Sequence, residues 1–346
     1  MDYKWFNNML TDSIGRTINY LRVSITDRCN LRCVYCMPPE GVKWKPHDNI
    51  LTFEEILRLV KIMAVLGVKN VKVTGGEPLL RKGAHSFLKD LKLINGIEKV
   101  TLTTNGLLLN SFLNETEENA LPNAINISLD ALDINRYKQI TGLNNDNSDV
   151  FTEPKAILSV INRLLEKQIT VKINCVPIRS INEEEIIPIA ELAKNKNIIV
   201  RFIELMPIGC ASTLQCVSGT QVKEIIEKTF GALIPFDNIS GSRFIGNQFT
   251  GSGPAAYYSL NGFKGKIGFI NALSHSFCQT CNRLRLTSDG FLQLCLSSDV
   301  GLDLRQLLRN GASDSEISHA IIDVVKNKPS SYKFSECNEG MSKIGG

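Results

Sequence analysis

The amino-acid sequence predicts an α/β fold, an incomplete (β/α)6 barrel of the TIM type followed by a smaller C-terminal domain. Short apolar, β-rich runs alternate along the chain with longer segments of helical period, an order typical of parallel β/α units. About six such units are present where a closed barrel has eight, so the sheet should leave a lateral opening. The six runs predicted as strands are Leu21–Ile25, Val71–Thr74, Val100–Thr103, Ile125–Leu129, Val171–Val176 and Ile198–Ile203.

The segments between these strands have the features of amphipathic helices. Residues Thr52-Phe-Glu-Glu55 form a capping box, in which the first and last side chains bind backbone amides at a helix start. Apolar residues then recur on one face of the segment that follows. Similar segments at Pro154–Lys167 and Glu183–Lys194 separate later strands, so the pattern predicts crossover helices between parallel strands.

The pattern changes after about Gly231, where Gly- and Ser-rich turns surround short strands. The elements predicted in this region are strands at Lys266–Asn271, Arg283–Thr287 and Phe291–Cys295 and a capped helix from Ser313. We therefore expect three parts in the chain. They are an N-terminal extension over residues 1–20, the partial barrel over residues 21–230 and the C-terminal domain over residues 231–346.

Composition narrows the classes of function. Hydrophobic residues at 43% and charged residues at 21% indicate a folded globular protein, and a net charge of +4 is too small to indicate a nucleic-acid or membrane partner. No apolar run is long enough for a membrane helix, and residues 1–20 do not resemble a signal peptide. We expect a cytoplasmic protein, or a mitochondrial-matrix protein if the host is eukaryotic. Ten cysteines in such a chain favour metal or redox chemistry over disulfides.

A first cysteine set, Cys29, Cys33 and Cys36, follows the first predicted strand with the spacing Cys-x3-Cys-x2-Cys. Three thiolates on one tight loop can hold three irons of a [4Fe–4S] cube and leave the fourth iron open for another ligand. Zinc usually takes a fourth protein ligand at short range, and none follows here. The alternatives of a structural zinc site and of three packed, reduced cysteines remain open from spacing alone.

A second cysteine set lies in the C-terminal domain and consists of Cys278, Cys281 and Cys295. The two predicted strands between Cys281 and Cys295, joined through Ser288-Asp289-Gly290, form a hairpin that can return Cys295 to the first pair. A second cube held by three thiolates is one interpretation. Zinc is equally compatible with the spacing, because Cys-x2-Cys before a hairpin is a common zinc knuckle and His275 lies nearby.

The first cysteine set, with Tyr35 between its last two cysteines, resembles the loop of the radical S-adenosylmethionine (SAM) superfamily. The second signature of that superfamily matches Thr74-Gly75-Gly76-Glu77-Pro78, where the backbone receives the amino group of SAM. Glycine permits close approach to a ligand, and a carboxylate can help to hold a cationic amine. The resemblance implies that a reduced cluster donates an electron to SAM and yields a 5′-deoxyadenosyl radical.

Within that superfamily the chain resembles the MoaA family, the GTP 3′,8-cyclases, over nearly its whole length. The motifs that carry the resemblance are Leu21-Arg-Val-Ser-Ile-Thr-Asp-Arg-Cys-Asn30, Cys36-Met-Pro38, Thr103-Thr-Asn-Gly106, Asn126-Ile-Ser-Leu-Asp130, Val171-Lys-Ile-Asn174, Arg201-Phe-Ile-Glu-Leu-Met-Pro207, Phe277-Cys-x-x-Cys-Asn-Arg-Leu-Arg285, Leu294-Cys-Leu296 and Gly345-Gly346. The resemblance favours a second [4Fe–4S] cluster over zinc at Cys278, Cys281 and Cys295.

The same resemblance implies roles for individual residues. The residues expected to contact SAM are Tyr35, Gly76, Ser128 and Met206. Those expected to contact GTP are Arg22, Lys72, Thr103, Lys172, Arg283, Leu284 and Arg285. Lys72 stands where the family usually has arginine, which replaces a bidentate fork by a point charge. Arg283 and Arg285 alternate along one strand and so should share a face. Both arginines and the terminal Gly345 and Gly346 are expected to assist catalysis.

The implied activity is conversion of GTP to 3′,8-cyclo-7,8-dihydro-GTP, the first step of molybdenum-cofactor biosynthesis. The radical would remove the ribose 3′ hydrogen, the resulting carbon radical would attack guanine C8, and reduction would complete the product. The C-terminal cluster would bind guanine. The implied partners are an electron donor, a downstream cyclic pyranopterin monophosphate synthase and a second copy of the chain in a homodimer.

Two other functions compete with this interpretation. A radical SAM peptide maturase could also carry an auxiliary cluster, although a peptide-recognition region and further C-terminal cysteines are not evident. A metal-binding nucleotide sensor could use the same basic residues without catalysis. The sensor would form no deoxyadenosine after anaerobic reduction.

Full reconstitution of the chain under anaerobic conditions should give about eight irons, because each three-cysteine set would hold one cube. Colorimetric iron analysis together with zinc analysis measures this. A plateau at about four irons, or stoichiometric zinc that is lost when Cys278, Cys281 and Cys295 are replaced, contradicts the two-cluster prediction.

Overall fold

The computed structural model describes the backbone of residues 9–143, 153–236 and 253–332. Its strands belong to one twelve-stranded sheet. They are β1 (Tyr20–Ser24), β2 (Asn70–Thr74), β3 (Lys99–Thr104), β4 (Ala124–Ser128), β5 (Thr170–Cys175), β6 (Ile199–Ile203), β7 (Ile234–Pro235), β8 (Ala256–Ser259), β9 (Lys266–Ile270), β10 (Arg283–Leu286), β11 (Phe291–Cys295) and β12 (Ser298–Asp303).

Strands β1 to β6 are parallel neighbours in chain order, which confirms the incomplete (β/α)6 barrel. The C-terminal part of the chain adds strands at both edges of this barrel sheet. Strand β10 pairs in parallel with β1, and β9 pairs in parallel with β6. The strand order is β12-β11-β10-β1-β2-β3-β4-β5-β6-β9-β8-β7, so the described sheet has two ends.

The first seven helices of the described residues lie in connections between strands, and the last two follow the final strand. They are α1 (Phe53–Val65), α2 (Ala84–Lys92), α3 (Leu109–Glu115), α4 (Ile134–Thr141), α5 (Pro154–Glu166), α6 (Ile186–Asn195), α7 (Gly219–Phe230), α8 (Leu304–Arg309) and α9 (Asp314–Val325). The capping box predicted at Thr52 begins α1, and Ser313 caps α9 in the same way. The predicted domain boundary near Gly231 falls directly after α7 and stays a prediction.

Helix α6 begins later than the sequence indicated. Residues Glu183–Glu185 form a short 3-10 turn before it. The buried carboxylate of Glu185 accepts a hydrogen bond from the Leu132 backbone amide at 2.7 Å and pairs with the Arg136 guanidinium at 3.1 Å. These contacts hold the turn against the end of the preceding β/α unit, and the regular helix follows it.

Alternation along the strands separates the hydrophobic core from the interior of the barrel. On β1, Leu21 and Val23 are fully buried, whereas the intervening Arg22 is only partly buried. The same alternation holds along β3 and β5. Because successive strand residues point to opposite faces, one set packs beneath the helices and the other lines the concave side of the sheet. Each fully buried aliphatic side chain contributes about 1.5–3 kcal/mol to folding.

None of the helices in the described ranges combines the length and the apolar character that a membrane span requires.

Candidate active site

The concave side of the sheet encloses a cavity of about 330 Å³. Its wall includes all six cysteines of the two predicted sets, although these lie far apart in the sequence. The cysteines are Cys29, Cys33, Cys36, Cys278, Cys281 and Cys295. The four residues expected to contact SAM also line it, and these are Tyr35, Gly76, Ser128 and Met206. The fold thus brings the two cysteine sets to one chamber.

The loop of the first cysteine set lies directly against the Gly75-Gly76 turn. The Gly76 amide donates to the Thr26 carbonyl at 2.8 Å, and the Glu77 amide donates to the Arg28 carbonyl at 2.7 Å. A Cβ on Gly76 would lie 2.3 Å from the Arg28 carbonyl oxygen, and one on Gly75 would lie 2.8 Å from that of Thr26. Glycine is therefore required here for contact between two backbones, a reason that differs from the ligand approach inferred from the sequence.

Helix α4 holds the other side of this loop. The Arg32 amide donates to the Thr141 carbonyl at 2.8 Å, and the Val34 amide donates to the Ile140 carbonyl at 2.9 Å. These bonds fix the residues on both sides of Cys33. The cysteine loop is consequently clamped between the end of α4 and the turn after β2.

The Glu77 carboxylate binds the protein's own groups. It accepts hydrogen bonds from the Thr104 hydroxyl and the Asn105 amide, each at 2.7 Å, and from the Leu79 amide at 3.0 Å. Burial raises the pKa of Glu77 to about 7 although these three bonds lower it. The carboxylate thus ties the end of β3 to the turn after β2, and a contact with the amino group of SAM stays a prediction.

Tyr35 is positioned by a carboxylate that the sequence analysis had not singled out. Its hydroxyl donates to Asp130 at 2.7 Å, and the other Asp130 oxygen accepts from the Val176 amide at 2.7 Å. Burial raises the pKa of Asp130 to about 6. Because Asp130 lies two residues beyond Ser128 at the end of β4, it links the first cysteine loop to two neighbouring strands.

The thiols of the first set lie in an apolar environment with acidic neighbours. Burial raises the pKa of all three thiols, that of Cys36 to about 12. Glu77 adds to the effect at Cys29, and Asp130 adds to it at Cys33 and Cys36. Metal ligation needs thiolates, so binding of a cluster here would release protons.

The second set is assembled by the predicted hairpin. Strands β10 and β11 are antiparallel, with Arg285 opposite Gln293, and this pairing returns Cys295 to the beginning of β10 near Cys281. Burial alone would raise the pKa of Cys281, but the charges of Arg283 and Lys328 outweigh it, and the pKa is lowered. At Cys33 and Cys36, by contrast, the carboxylate of Asp130 adds to the effect of burial.

The donor chemistry of both sets fits iron–sulfur clusters. Within residues 9–143, 153–236 and 253–332, no three His, Cys, Asp or Glu side chains lie close enough together to hold a single metal ion. A cube takes each thiolate on a different iron, so three thiols need not converge on one point. His275, the candidate fourth zinc ligand, is exposed, and its ring contacts the Ser274 hydroxyl.

Most of the residues expected to contact GTP share the cavity wall. Arg22, Lys72, Thr103, Arg283 and Arg285 line it, which confirms that Arg283 and Arg285 share a face. Two residues expected to contact GTP are not part of the wall. The Leu284 side chain is buried on the opposite face of β10, and Lys172 lies on the inward face of β5 two residues before the lining Asn174.

Burial and mutual repulsion lower the pKa values of the basic groups in and beside the cavity. The pKa of Lys72 is held well below its usual value by burial and by the charges of Arg201 and Arg22. Burial also lowers the pKa of Arg22 to about 10. Burial and the Arg201 charge lower the pKa of Lys172 to about 7. Such a cluster favours a polyanionic ligand, which would stabilise every cation at once.

Arg201 is a further cation of the cavity that the sequence analysis did not select. It is buried on β6, and its guanidinium donates to Asn174 and Asn126, each at 2.6 Å. It stands in the quoted motif Arg201-Phe-Ile-Glu, and strand parity places it on the inward face beside Asn174. This alternation along β6 is the sequence signal that could have identified Arg201 as a residue of the cavity.

The remaining cysteines belong to neither cysteine set, and the terminal glycines are the last of the residues with a predicted role. Cys175 is fully buried on β5, where it packs as a small core residue. Cys210 lies near enough to Cys36 to raise the pKa of that thiol further, although Cys210 itself is assigned no ligation. Cys337, Gly345 and Gly346 lie outside the described residues.

Comparisons with known proteins agree with these motifs along the whole chain. Residues 23–193 match the radical SAM superfamily, and residues 198–334 match the family described as Molybdenum Cofactor Synthesis C. A Clostridium perfringens (strain SM101) protein named GTP 3′,8-cyclase is 41% identical over 97% of this chain and 100% of its own length. A protein of the same name from Thermodesulfovibrio yellowstonii is 42% identical with the same coverage.

Among solved structures, Streptococcus suis SuiB resembles the chain in fold. SuiB aligns with 94% of this chain and 68% of its own, with a TM-score of 0.57 and 14% identity. SuiB bound to S-adenosylmethionine aligns with 92% and 69%, with a TM-score of 0.55 and 15% identity. At this identity the likeness shows a shared fold alone.

Gly76→Ala should prevent loading of the first cysteine set, because the new Cβ would clash with the Arg28 carbonyl one residue before Cys29. Iron content after reconstitution should fall to about half of the wild-type value while the C-terminal set still loads. Gly253→Ala is the matched control, since no atom of the described residues lies within 4 Å of its Cβ position. Full iron content in Gly76→Ala would show that the contact does not support the cysteine loop.

Proposed function

This chain belongs to the GTP 3′,8-cyclase family of radical SAM enzymes, and we propose that it converts GTP to (8S)-3′,8-cyclo-7,8-dihydroguanosine 5′-triphosphate. This reaction opens molybdenum-cofactor biosynthesis, in agreement with the match of residues 198–334 to Molybdenum Cofactor Synthesis C. The observation that carries the proposal is the single cavity whose wall combines six cysteines with arginine and lysine from β1, β2 and β10. Such a wall can bind a nucleoside triphosphate through its cations and hold it between two redox centres.

Membership of the radical SAM family implies one [4Fe–4S] cluster and SAM. The ligands of that cluster would be Cys29, Cys33 and Cys36, and the residues that hold SAM would be Tyr35, Gly76, Ser128 and Met206. Together, cluster and SAM supply a 5′-deoxyadenosyl radical when bound. The clamped cysteine loop and the partly buried Tyr35–Asp130 pair keep this end of the cavity fixed. Fixed groups around a radical limit side reactions with water.

We further propose a second [4Fe–4S] cluster, with Cys278, Cys281 and Cys295 as its ligands. It is supported by the shared cavity, by the return of Cys295 through the β10–β11 hairpin and by the cationic surroundings of Cys281. Because both cysteine sets line one cavity, the guanine and ribose of GTP would lie between the two clusters.

The triphosphate would lie among the cations of the barrel interior. The residues proposed to contact GTP are Arg22, Lys72, Thr103, Lys172, Arg283, Leu284 and Arg285. Leu284 could contribute only its backbone, because its side chain is buried on the other face. Lys72 would act as a point charge where the family usually has an arginine fork. Arg283 and Arg285 would orient the substrate, and Gly345 and Gly346 are proposed to reach it from the tail.

The peptide-maturase alternative has weaker support. The solved structure of SuiB bound to its precursor peptide SuiA resembles this chain at only 16% identity, with a TM-score of 0.55. The cyclase relatives match at more than twice that identity over 97% of this chain. Measurement of SAM consumption during turnover distinguishes the sensor alternative from the cyclase, since a sensor would not consume SAM.

The partners and location proposed for the enzyme follow from the same family. They are GTP as substrate, an electron donor, a downstream cyclic pyranopterin monophosphate synthase and a second copy of the chain, in the cytoplasm or, in a eukaryotic host, the mitochondrial matrix.

Anaerobic turnover with GTP, SAM and reductant separates the functions of the two cysteine sets. Cys33→Ala should abolish formation of deoxyadenosine, because only the first set supports SAM. Cys281→Ala should still form deoxyadenosine but lose most GTP binding and cyclisation. The cyclised product has the elemental composition of GTP, so chromatography must precede mass analysis.

Cys216→Ala is the control for these variants, because it removes a half-buried thiol outside both sets. Loss of SAM cleavage in Cys281→Ala with an intact first cluster would contradict the assignment. Absence of a cyclised GTP product from fully loaded wild-type protein would contradict the function itself.

The affinity for GTP should fall as pH rises above about 7, because Lys172 in the free protein loses its proton there. A bound triphosphate favours the protonated amine, so the dissociation constant should rise about fivefold between pH 7 and pH 8. Lys172→Arg keeps its charge and should flatten this slope. Equilibrium dialysis of labelled GTP, without SAM or reductant, measures the dissociation constants of the wild-type and Lys172→Arg proteins at each pH. Identical slopes would place Lys172 outside the phosphate site.

A further inference from the structure

Lys328 is a buried cation in the wall of the cavity, close to the second cysteine set. It lies three residues beyond the end of α9, is only 4% exposed and lines the same chamber as the six cysteines. Neither a cysteine motif nor a strand pattern contains it. A buried lysine without a function is uncommon, because desolvation of its charge is costly.

The ammonium of Lys328 connects the two strands that carry the second cysteine set. It donates to the carbonyl of Arg283 at 2.8 Å and to the carbonyl of Leu294. Arg283 follows Cys281 by two residues, and Leu294 directly precedes Cys295. One side chain therefore holds the backbone beside two of the three predicted ligands.

The backbone of Lys328 is itself fixed from the N-terminal extension. The Arg16 guanidinium donates to the carbonyls of Lys328 at 3.1 Å, of Pro329 at 2.8 Å and of Cys278 at 2.7 Å. The same guanidinium is paired with the buried Asp12 carboxylate. The charge of Arg16 is thus neutralised locally, and its geometry serves to place Lys328 beside the loop of Cys278.

The charge of Lys328 is not neutralised in this way. Within the described part of the chain, no carboxylate forms an ion pair with it. Its ammonium lies beside the strands that carry Cys281 and Cys295, in the cavity wall that these cysteines share. The first set has the buried carboxylates of Glu77 and Asp130 as neighbours, together with the guanidinium of Arg32. The two cysteine sets therefore differ in electrostatic environment although their ligand chemistry is the same.

We propose that Lys328 is a positioning residue of the C-terminal cluster, which joins its two ligand strands and raises its reduction potential. This inference rests on the proposed presence of a cluster at Cys278, Cys281 and Cys295. Reduction adds negative charge to a cluster, and a nearby desolvated cation stabilises that charge. Lys328 would therefore make the C-terminal cluster easier to reduce than it would otherwise be, and an electron at the substrate end of the cavity would be better retained.

The test is a redox titration of the reconstituted full-length chain, followed by electron paramagnetic resonance. The signal of the C-terminal cluster is identified by its persistence when Cys29, Cys33 and Cys36 are replaced by alanine. Lys328→Gln keeps hydrogen-bond donors but removes the charge, and Lys328→Arg keeps both. Lys92→Gln is the matched control, since Lys92 also donates to two backbone carbonyls, those of Asn119 and Leu121, outside the cavity.

In Lys328→Gln we expect about a tenfold lower ratio of reduced to oxidised C-terminal cluster at fixed ambient potential, which is about 59 mV for one electron. Lys328→Arg and Lys92→Gln should keep the wild-type ratio. If Lys328→Gln fails to load this cluster while Lys328→Arg loads it, the cation is needed at the ligand strands and the proposal stands.

An unchanged ratio in a fully loaded Lys328→Gln protein would overturn the proposal and leave the cyclase function intact. Equal loss of the cluster in the Gln and Arg variants would also overturn it, because charge would then be irrelevant. A wild-type chain that binds only about four irons would remove the second cluster, and with it both this inference and that part of the proposed function.

Discussion

The site depends on the close contact between two backbones at the ends of β1 and β2. Parallel pairing of these strands brings Thr26–Arg28 and Gly75–Gly76 to one sheet edge, and only glycine leaves room for them to touch. From this contact the chain continues directly into Cys29 on one side and into Glu77 on the other. Glu77 extends the connection to β3 through Thr104 and Asn105. The first cysteine set, the turn predicted to contact SAM and the third strand are therefore held together by this one contact.

Electrostatics divides the cavity into regions of different character. The first cysteine set has buried acids as neighbours, the barrel interior holds mutually repelling arginine and lysine, and the second set has Arg283 and Lys328 beside it. Like charges held together in a poorly hydrated space lower the stability of the empty protein. The apolar core on the other face of the sheet offsets this destabilisation. Binding of an anionic ligand would reduce the repulsion among these arginine and lysine side chains, which the folded protein already contains.

The sequence predicted the features that depend on local order, and missed those that depend on distant packing. Strand parity placed Arg283 and Arg285 on one face, and cysteine spacing identified both sets, because each of these signals is contained in a short segment. Arg201 was quoted within a motif but not selected, since its role follows from contact with Asn126 and Asn174 on other strands. Lys328 had no local signal at all, because its partners are carbonyls of β10 and β11. The late start of α6 depended in the same way on a contact of Glu185 with the preceding unit.

The position of β10 beside β1 has a consequence for how the protein is made. Strand β1 can pair with β2 early in synthesis, but its other edge stays open until the segment of β10 has left the ribosome. Unpaired strand edges invite association with other chains, and contacts between distant segments slow folding. The nascent barrel therefore spends most of its synthesis with one exposed edge. The loop for the first cysteine set can form during that time, whereas the second set is assembled only when the last strands close the chamber.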